Sequence, residues 1–140
     1  MTEKLFTSTA TAKGGREGHV QSSDGVVEFD TAMPGSPRAK ELANSTNPEQ
    51  LFAAGYAACF DGALQLVASK EHVKFSSEVT ANVSLCKDET DNGFKLAVKL
   101  QVKGTDIEKD KLEDLVEKAH QFCPYSKATR GNIEVTLEVL

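Results

Sequence analysis

Three cysteines, Cys59, Cys86 and Cys123, carry most of the chemistry open to this 140-residue sequence. A thiolate can be a nucleophile, a metal ligand or a redox centre, and its surroundings decide which. Metal binding finds little support. His120 and Cys123 form an H-x-x-C pair, but no second pair at ligand spacing lies near either, and Cys59 has no histidine four residues away. His19 and His72 stand alone and are expected to face solvent. A cysteine–histidine nucleophile needs an imidazole against the thiol, and spacing does not place His120 beside Cys59, so that reading stays open. Attack on an O–O bond asks for less: a thiolate, and a cation that holds it and steadies the departing alkoxide. Burial raises a thiol's pKa, so a reactive Cys59 inside an apolar helix demands a fixed positive charge.

The basic residues narrow the source of that charge. Only Arg16, Arg38 and Arg130 are arginines among 16 lysines and arginines. The planar guanidinium suits bidentate pairing with a carboxylate, so each is a candidate for a specific contact. Arg16 lies in Gly14-Gly15-Arg16-Glu17-Gly18, whose glycines permit an unusual backbone path. The segment reads equally as a solvated hairpin tip. Glu49 either favours a helix dipole or clamps an arginine brought to it. Cys59 reads first as a small core hydrophobe, and Cys86 as incidental, out of step with the apolar face of its strand. Cys123 precedes Pro124 at a helix end, where its thiol is expected to be accessible.

These residues need elements to position them. Phe6, Ala10 and Ala12 alternate with threonines up to a Gly14-Gly15 turn. Gly18–Ser22 then meets a Ser23-Asp24-Gly25 turn, after which Val26, Val27 and Phe29 extend a further strand. Residues 33–46, with Pro34, Gly35, Pro37 and Asn44-Ser45-Thr46, read as loop. Asn47 as N-cap and Pro48 as first helical residue open a long helix. From Leu51 to Ala68 that helix is apolar on nearly every face, so it must be buried, and one thin sheet cannot cover it, which predicts a homodimer. Asp61 at its middle would cost roughly 2.5–3.5 kcal/mol in a bilayer, which argues against a membrane span. Two alternating strands (79–85 and 94–102) flank Asp91-Asn92-Gly93, an amphipathic helix runs from Leu112 to Cys123, and a strand over 133–139 closes the chain. The order βββ-α-ββ-α-β predicts one α+β domain over 1–140, with antiparallel sheets and two main helices.

Composition bounds the rest. With 39% apolar and 26% charged residues the chain is globular in type. A net charge of −5 without basic blocks argues against nucleic acid and anionic membrane surfaces as partners. Three cysteines are too few for a secreted disulfide scaffold, and Met1-Thr-Glu-Lys-Leu-Phe has no apolar signal core. The expected location is the cytoplasm.

Two longer blocks resemble a known family. The run from Thr46 to Phe60, TNPEQLFAAGYAACF, is similar to the peroxidatic helix of the OsmC/Ohr superfamily. The run from Cys123 to Asn132, CPYSKATRGN, resembles the resolving-cysteine segment of its organic hydroperoxide resistance (Ohr) branch, and the Gly14–Gly18 loop matches a third block. The likeness spans essentially the whole chain, although Pro34-Gly35-Ser36-Pro37-Arg38 departs from the glycine-rich stretch of the family.

The resemblance implies an intertwined homodimer and a thiol peroxidase. Cys59 would be the peroxidatic cysteine, Cys123 the resolving one, Arg16 the activating arginine and Glu49 the carboxylate that orients it. Cys59 would become a sulfenic acid and condense with Cys123 to a disulfide. An external dihydrolipoyl group on a lipoylated protein would reopen that bond. No bound cofactor, metal, flavin or haem is implied. Phe52, Tyr56 and Phe60 around Cys59, with Tyr125, are candidate lining for an apolar-tailed hydroperoxide. The other reading is a non-enzymatic α+β domain that binds a small apolar ligand and uses its cysteines for packing.

Overall fold

The computed structural model describes residues 2–140 and has an α+β fold of two sheets with four α-helices. Contacts divide the chain into two compact units that meet in sequence between Leu51 and Phe52.

The first unit holds strands β1 (Ala10–Lys13), β2 (His19–Ser22), β3 (Glu28–Thr31) and β4 (Ser45–Thr46), in that order across one sheet. β1–β2 and β2–β3 are antiparallel, while β4 joins β3 in parallel. Val26 and Val27 do not extend β3. The Asp24 carboxylate accepts the Val26 N–H at 3.0 Å and the Ser22 hydroxyl accepts that of Val27 at 2.9 Å, so side chains take these amides into the turn. Phe6 likewise precedes β1 and is exposed. Within residues 33–46 the structure forms a helix, α1 (Pro37–Glu41), where a loop is expected. Ser36 caps it by accepting the Ala39 N–H, and Pro37 occupies the first turn, where its missing N–H costs nothing. His19 is not isolated either. Its ring nitrogens lie 3.1 Å from Asp30 and 3.2 Å from Glu28, both on the adjacent strand.

Helix α2 (Pro48–Lys70) begins as its residues dictate, with the Asn47 side chain accepting the Gln50 N–H at 2.8 Å. The second unit then adds a hairpin of two thirteen-residue strands, β5 (Ser76–Asp88) and β6 (Gly93–Thr105). Helices α3 (Lys109–Phe122) and α4 (Pro124–Thr129) lead into β7 (Glu134–Val139). β7 pairs with β6 in parallel, against the expected antiparallel arrangement. The helical crossover through α3 and α4 returns the chain to the end where β6 began, and a parallel partner needs such a connection.

The core of this unit is continuous. Leu64 and Phe60 of α2, Leu100 and Val102 of β6, and Leu115 and Ala119 of α3 are all fully enclosed. Each large side chain contributes roughly 1.5–3 kcal/mol by leaving water. α2 itself is buried on one side only. Tyr56, Phe60, Ala63, Leu64, Val67 and Ala68 face the core, while Ala54, Ala58, Gly62 and Leu66, spaced by four, form an exposed row. The three-stranded sheet covers one helical face and no more. By length and composition α2 could cross a membrane. Its central polar groups are instead engaged by the sheet: the Ser77 hydroxyl bonds Asp61, and Gln65 donates to Ser77 at 2.6 Å.

An ion cluster ties the end of α2 to α3. Glu71 accepts from Lys111 at 2.6 Å and from Lys118 at 2.7 Å, and these bonds, Lys111 first, pull its pKa from 4.5 to about 2. The folded value is depressed, so the stabilisation is complete above pH 4.5 and is lost as pH falls toward 2. Thermal melts of Glu71→Gln and the parent chain are therefore expected to differ at neutral pH and to converge through that acidic window.

Candidate active site

Cys59 lies on α2, half-buried, and Cys123 lies at the junction of α3 and α4, fully buried. This reverses the expected exposures. The sequence suggests an accessible Cys123 because Pro124 breaks the helix there. Pro124 instead starts α4 at once, the Cys123 N–H still bonds to Ala119 at 2.8 Å, and the side chain is held within the core. The fold brings the two thiols near one another: the Cys123 side chain and the Tyr125 backbone amide both lie close enough to act on the Cys59 pKa. Both cysteines are free thiols.

Burial raises the Cys59 pKa above its ordinary value; the Tyr125 amide opposes the rise, and Cys123 adds to it. Among these groups nothing supplies a full positive charge, and the backbone dipole does not outweigh the desolvation. Cys86 lies outside this pair. It lies on β5 opposite Lys95, with its sulfur 3.9 Å from the Ser84 carbonyl.

A hydroxyl network anchors the segment after Cys123. Tyr56 Oη lies 2.8 Å from Ser126 Oγ and 3.2 Å from Thr129 Oγ1, and His120 Nδ1 lies 2.8 Å from the same Ser126 oxygen. His120 therefore joins this network; desolvation, then the charge of Arg130, lowers its pKa, while Glu117 opposes the shift. Composition offers no signal for this network, because serine and threonine on a short helix read as solvent-facing. Tyr56→Phe leaves Ser126 bonded to His120, and Thr129 bonded to the Ser126 carbonyl at 3.3 Å. No group is orphaned, so the expected loss is only about 0.5–1.5 kcal/mol, read as a lower urea midpoint at constant slope.

Beside this network a cavity of about 440 Å³ is lined by Phe52, Leu96, Pro124, Tyr125, Ala128, Thr129, Asn132 and Ile133. Of the four aromatic side chains named from sequence, Phe52 and Tyr125 line it. Tyr56 and Phe60 do not; both are fully enclosed, because the helical face they share is the one packed on the sheet. The Phe52 and Tyr125 rings meet edge to face with centroids 5.9 Å apart. Tyr125 lies close over α2 because residue 55 is glycine; a side-chain carbon there would come within 2.5 Å of its hydroxyl oxygen.

In the first unit Arg16 meets Glu49 through a two-pronged ion pair. Nη1 lies 2.7 Å from Oε1 and Nη2 lies 2.9 Å from Oε2. Glu49 occupies the first turn of α2, the helix that also carries Cys59. The bond from Glu49 raises the Arg16 pKa further, so the guanidinium is charged at every working pH. No group of three histidine, cysteine or acidic side chains placed so that it could hold a metal ion occurs among the described residues.

The sequence model of the family described as OsmC-like protein matches residues 40–138, from α1 through β7. The chain belongs to the OsmC-like family. Within it, the organic hydroperoxide resistance branch is the one this OsmC-like protein shares with its relatives. It is 68% identical over 139 residues to Organic hydroperoxide resistance protein OhrA of Bacillus subtilis, covering 99% of each chain. It is 47% identical over 137 residues to the Organic hydroperoxide resistance protein of Xanthomonas axonopodis pv. citri, covering 95% of this chain and 93% of the other. The crystal structure of the Organic hydroperoxide resistance protein OhrB of Bacillus subtilis superposes with a TM-score of 0.92 at 53% identity, covering 98% and 100% of the two chains. The OsmC-like match includes Glu49 and both site cysteines, while Arg16 lies before it and is reached by the whole-chain similarity.

Proposed function

We propose that this protein is a thiol-dependent peroxidase that detoxifies organic hydroperoxides, as the names of its relatives suggest. The observation that carries the reading is a pair of free thiols near enough for Cys123 to act on the ionisation of Cys59, with Cys59 half-exposed and Cys123 enclosed. Cys59 thiolate attacks the distal peroxide oxygen; the O–O bond breaks, the alkoxide takes a proton and leaves as alcohol, and sulfur becomes a sulfenic acid. The Cys123 sulfur then displaces that hydroxyl as water, forming the disulfide. Proximity of the pair favours this step over attack by a second peroxide.

Arg16 provides the missing cation in this reading, held by Glu49 and offered to the thiolate and to the departing oxygen. The apolar cavity beside Tyr125 suits a peroxide with a hydrocarbon tail better than hydrogen peroxide. An external dithiol restores the pair by exchange, and a dihydrolipoyl group on a partner protein is the donor we propose. A cytoplasmic setting suits thiols that rest reduced. The exposed Ala54–Ala58–Gly62–Leu66 row of α2 supports a homodimer, since small side chains let a second copy approach closely.

The test is consumption of cumene hydroperoxide and of hydrogen peroxide, each with dihydrolipoamide, followed by mass spectrometry of the oxidised chain. Faster consumption of the organic peroxide and a Cys59–Cys123 disulfide are expected. Neither turnover nor disulfide would leave the non-enzymatic, ligand-binding reading in its place.

A further inference from the structure

The Arg16 loop is held by two residues that its own chemistry does not explain. Thr31, at the end of β3, is 4% exposed, and its hydroxyl is used twice. It accepts the Gly18 N–H at 2.8 Å and donates to the Gly15 carbonyl at 2.8 Å, spanning the two ends of the turn that carries Arg16. The Thr31 N–H adds a bond to the Gly18 carbonyl at 2.9 Å. Arg38, on α1, closes the arrangement: its Nε donates to the Thr31 carbonyl at 2.9 Å and its Nη2 to the Gly18 carbonyl at 3.2 Å. A guanidinium suits this bridge because its donors fan out within one rigid plane from two different nitrogens, whereas a lysine ammonium presents all its donors from a single rotatable point. The backbone is packed to match. A side-chain carbon on Gly18 would lie 1.8 Å from the Lys13 carbonyl oxygen, so this loop path exists only with glycine there.

We propose that Thr31 and Arg38 are positioning residues that latch the Gly14–Gly18 loop and thereby hold Arg16 in its two-pronged pairing with Glu49. The inference rests on the reading of Arg16 as the activating cation. Glycine-rich loops are intrinsically mobile, and an arginine on one loses pairing geometry unless the backbone is fixed elsewhere. The latch does this through backbone groups of Gly15, Gly18 and Thr31 and not through the Arg16 side chain. It also explains why position 38 is arginine in a chain whose surface is otherwise mostly lysine.

A double-mutant cycle tests the latch. Organic hydroperoxide consumption and the pH profile of Cys59 alkylation are measured for Thr31→Val, Thr31→Ser and Arg38→Lys, each in the parent and in the Arg16→Ala background, with thermal melts of all. In the parent background Thr31→Val and Arg38→Lys are expected to slow consumption about tenfold to a hundredfold, a typical loss when a catalytic group is slightly misplaced. Thr31→Ser, which keeps the hydroxyl, retains the parent rate. In the Arg16→Ala background neither substitution slows the reaction further, because both act through Arg16. Equal slowing in both backgrounds, or a slow Thr31→Ser, overturns the latch and leaves Arg16 in place. Parent rates in Thr31→Val and Arg38→Lys do the same. A parent rate in Arg16→Ala overturns the reading of Arg16 and the latch together. Should Thr31→Val fail to fold, Arg38→Lys and Thr31→Ser carry the comparison alone.

Discussion

Cys59→Ser is expected to reduce organic hydroperoxide consumption to the uncatalysed background, while Cys123→Ser is expected to complete one reduction without turning over, any further peroxide going only into overoxidation of Cys59. The contrast follows from the different work of the two sulfurs. A serine hydroxyl at position 59 is a far weaker nucleophile toward an O–O bond than a thiolate, and no neighbouring base compensates. At position 123 the first chemical step is untouched, so one reduction proceeds. Without its partner the Cys59 sulfenic acid is not captured, and further peroxide drives it up the sulfinic and sulfonic ladder. Mass spectrometry of Cys123→Ser after excess peroxide should therefore find Cys59 with added oxygens, and the parent chain a disulfide. Burial adds a second, separable effect. Cys123 is fully enclosed, and serine there places a hydroxyl in an apolar setting, so a lower melting temperature accompanies the loss of turnover. Retained turnover in Cys59→Ser would remove the basis of the proposed function.

Arg16→Ala is expected to move the pH profile of Cys59 alkylation upward and to slow hydroperoxide consumption at neutral pH, with the fold preserved. Desolvation already raises the Cys59 pKa, and in the proposed reading the Arg16 cation is the counterweight. An opposite charge at close range is worth about 1–3 pKa units, so the thiolate fraction at pH 7 should fall by roughly tenfold to a thousandfold when it is removed. The difference disappears at pH values above both thiol pKa values, where the sulfur is ionised with or without the cation. Stability changes little, because the partly exposed Arg16–Glu49 pair contributes at most about 1 kcal/mol. Glu49→Gln keeps the helix start and the cation but loosens its aim. A smaller loss of rate with less change in thiol pKa is the expected result. An unchanged alkylation profile in Arg16→Ala would separate the ion pair from the chemistry.

Both predictions depend on arrangements that sequence conveys unequally. The start of α2 is legible because Asn47 and Pro48 act on their own backbone, and capping is a local interaction. The β5–β6 hairpin is legible for the same reason, since the Asp91-Asn92-Gly93 turn and the alternation on either side set the register between neighbours. The short α1 helix carries a local signal too, Ser36-Pro37, which the surrounding glycine and prolines mask. Val26 and Val27 look like strand by propensity, yet side chains of Ser22 and Asp24 take their amides, and that competition is a matter of turn geometry.

Long-range packing decided the rest. The identities of Cys59, Cys123, Arg16 and Glu49 as candidates came from residue type, scarcity and family likeness. Their pairings are tertiary: Arg16 reaches Glu49 across 33 positions, and the two thiols meet only because the α3–α4 junction is folded onto α2. The division of the aromatics is tertiary as well. Phe52 and Tyr125 line the cavity while Tyr56 and Phe60 disappear into the core, because the sheet chooses which side of a nearly uniform apolar helix to cover. The parallel β7 strand follows from the crossover through α3 and α4, a property of chain path that alternation in one segment does not encode. By itself the sequence determined the residues able to do chemistry and the elements that carry them, since those depend on interactions a few positions apart. Only the tertiary structure decided which thiol is exposed, which hydroxyls hold the Arg16 loop and which aromatics remain open to a ligand, because those depend on burial, and burial is settled by the whole fold.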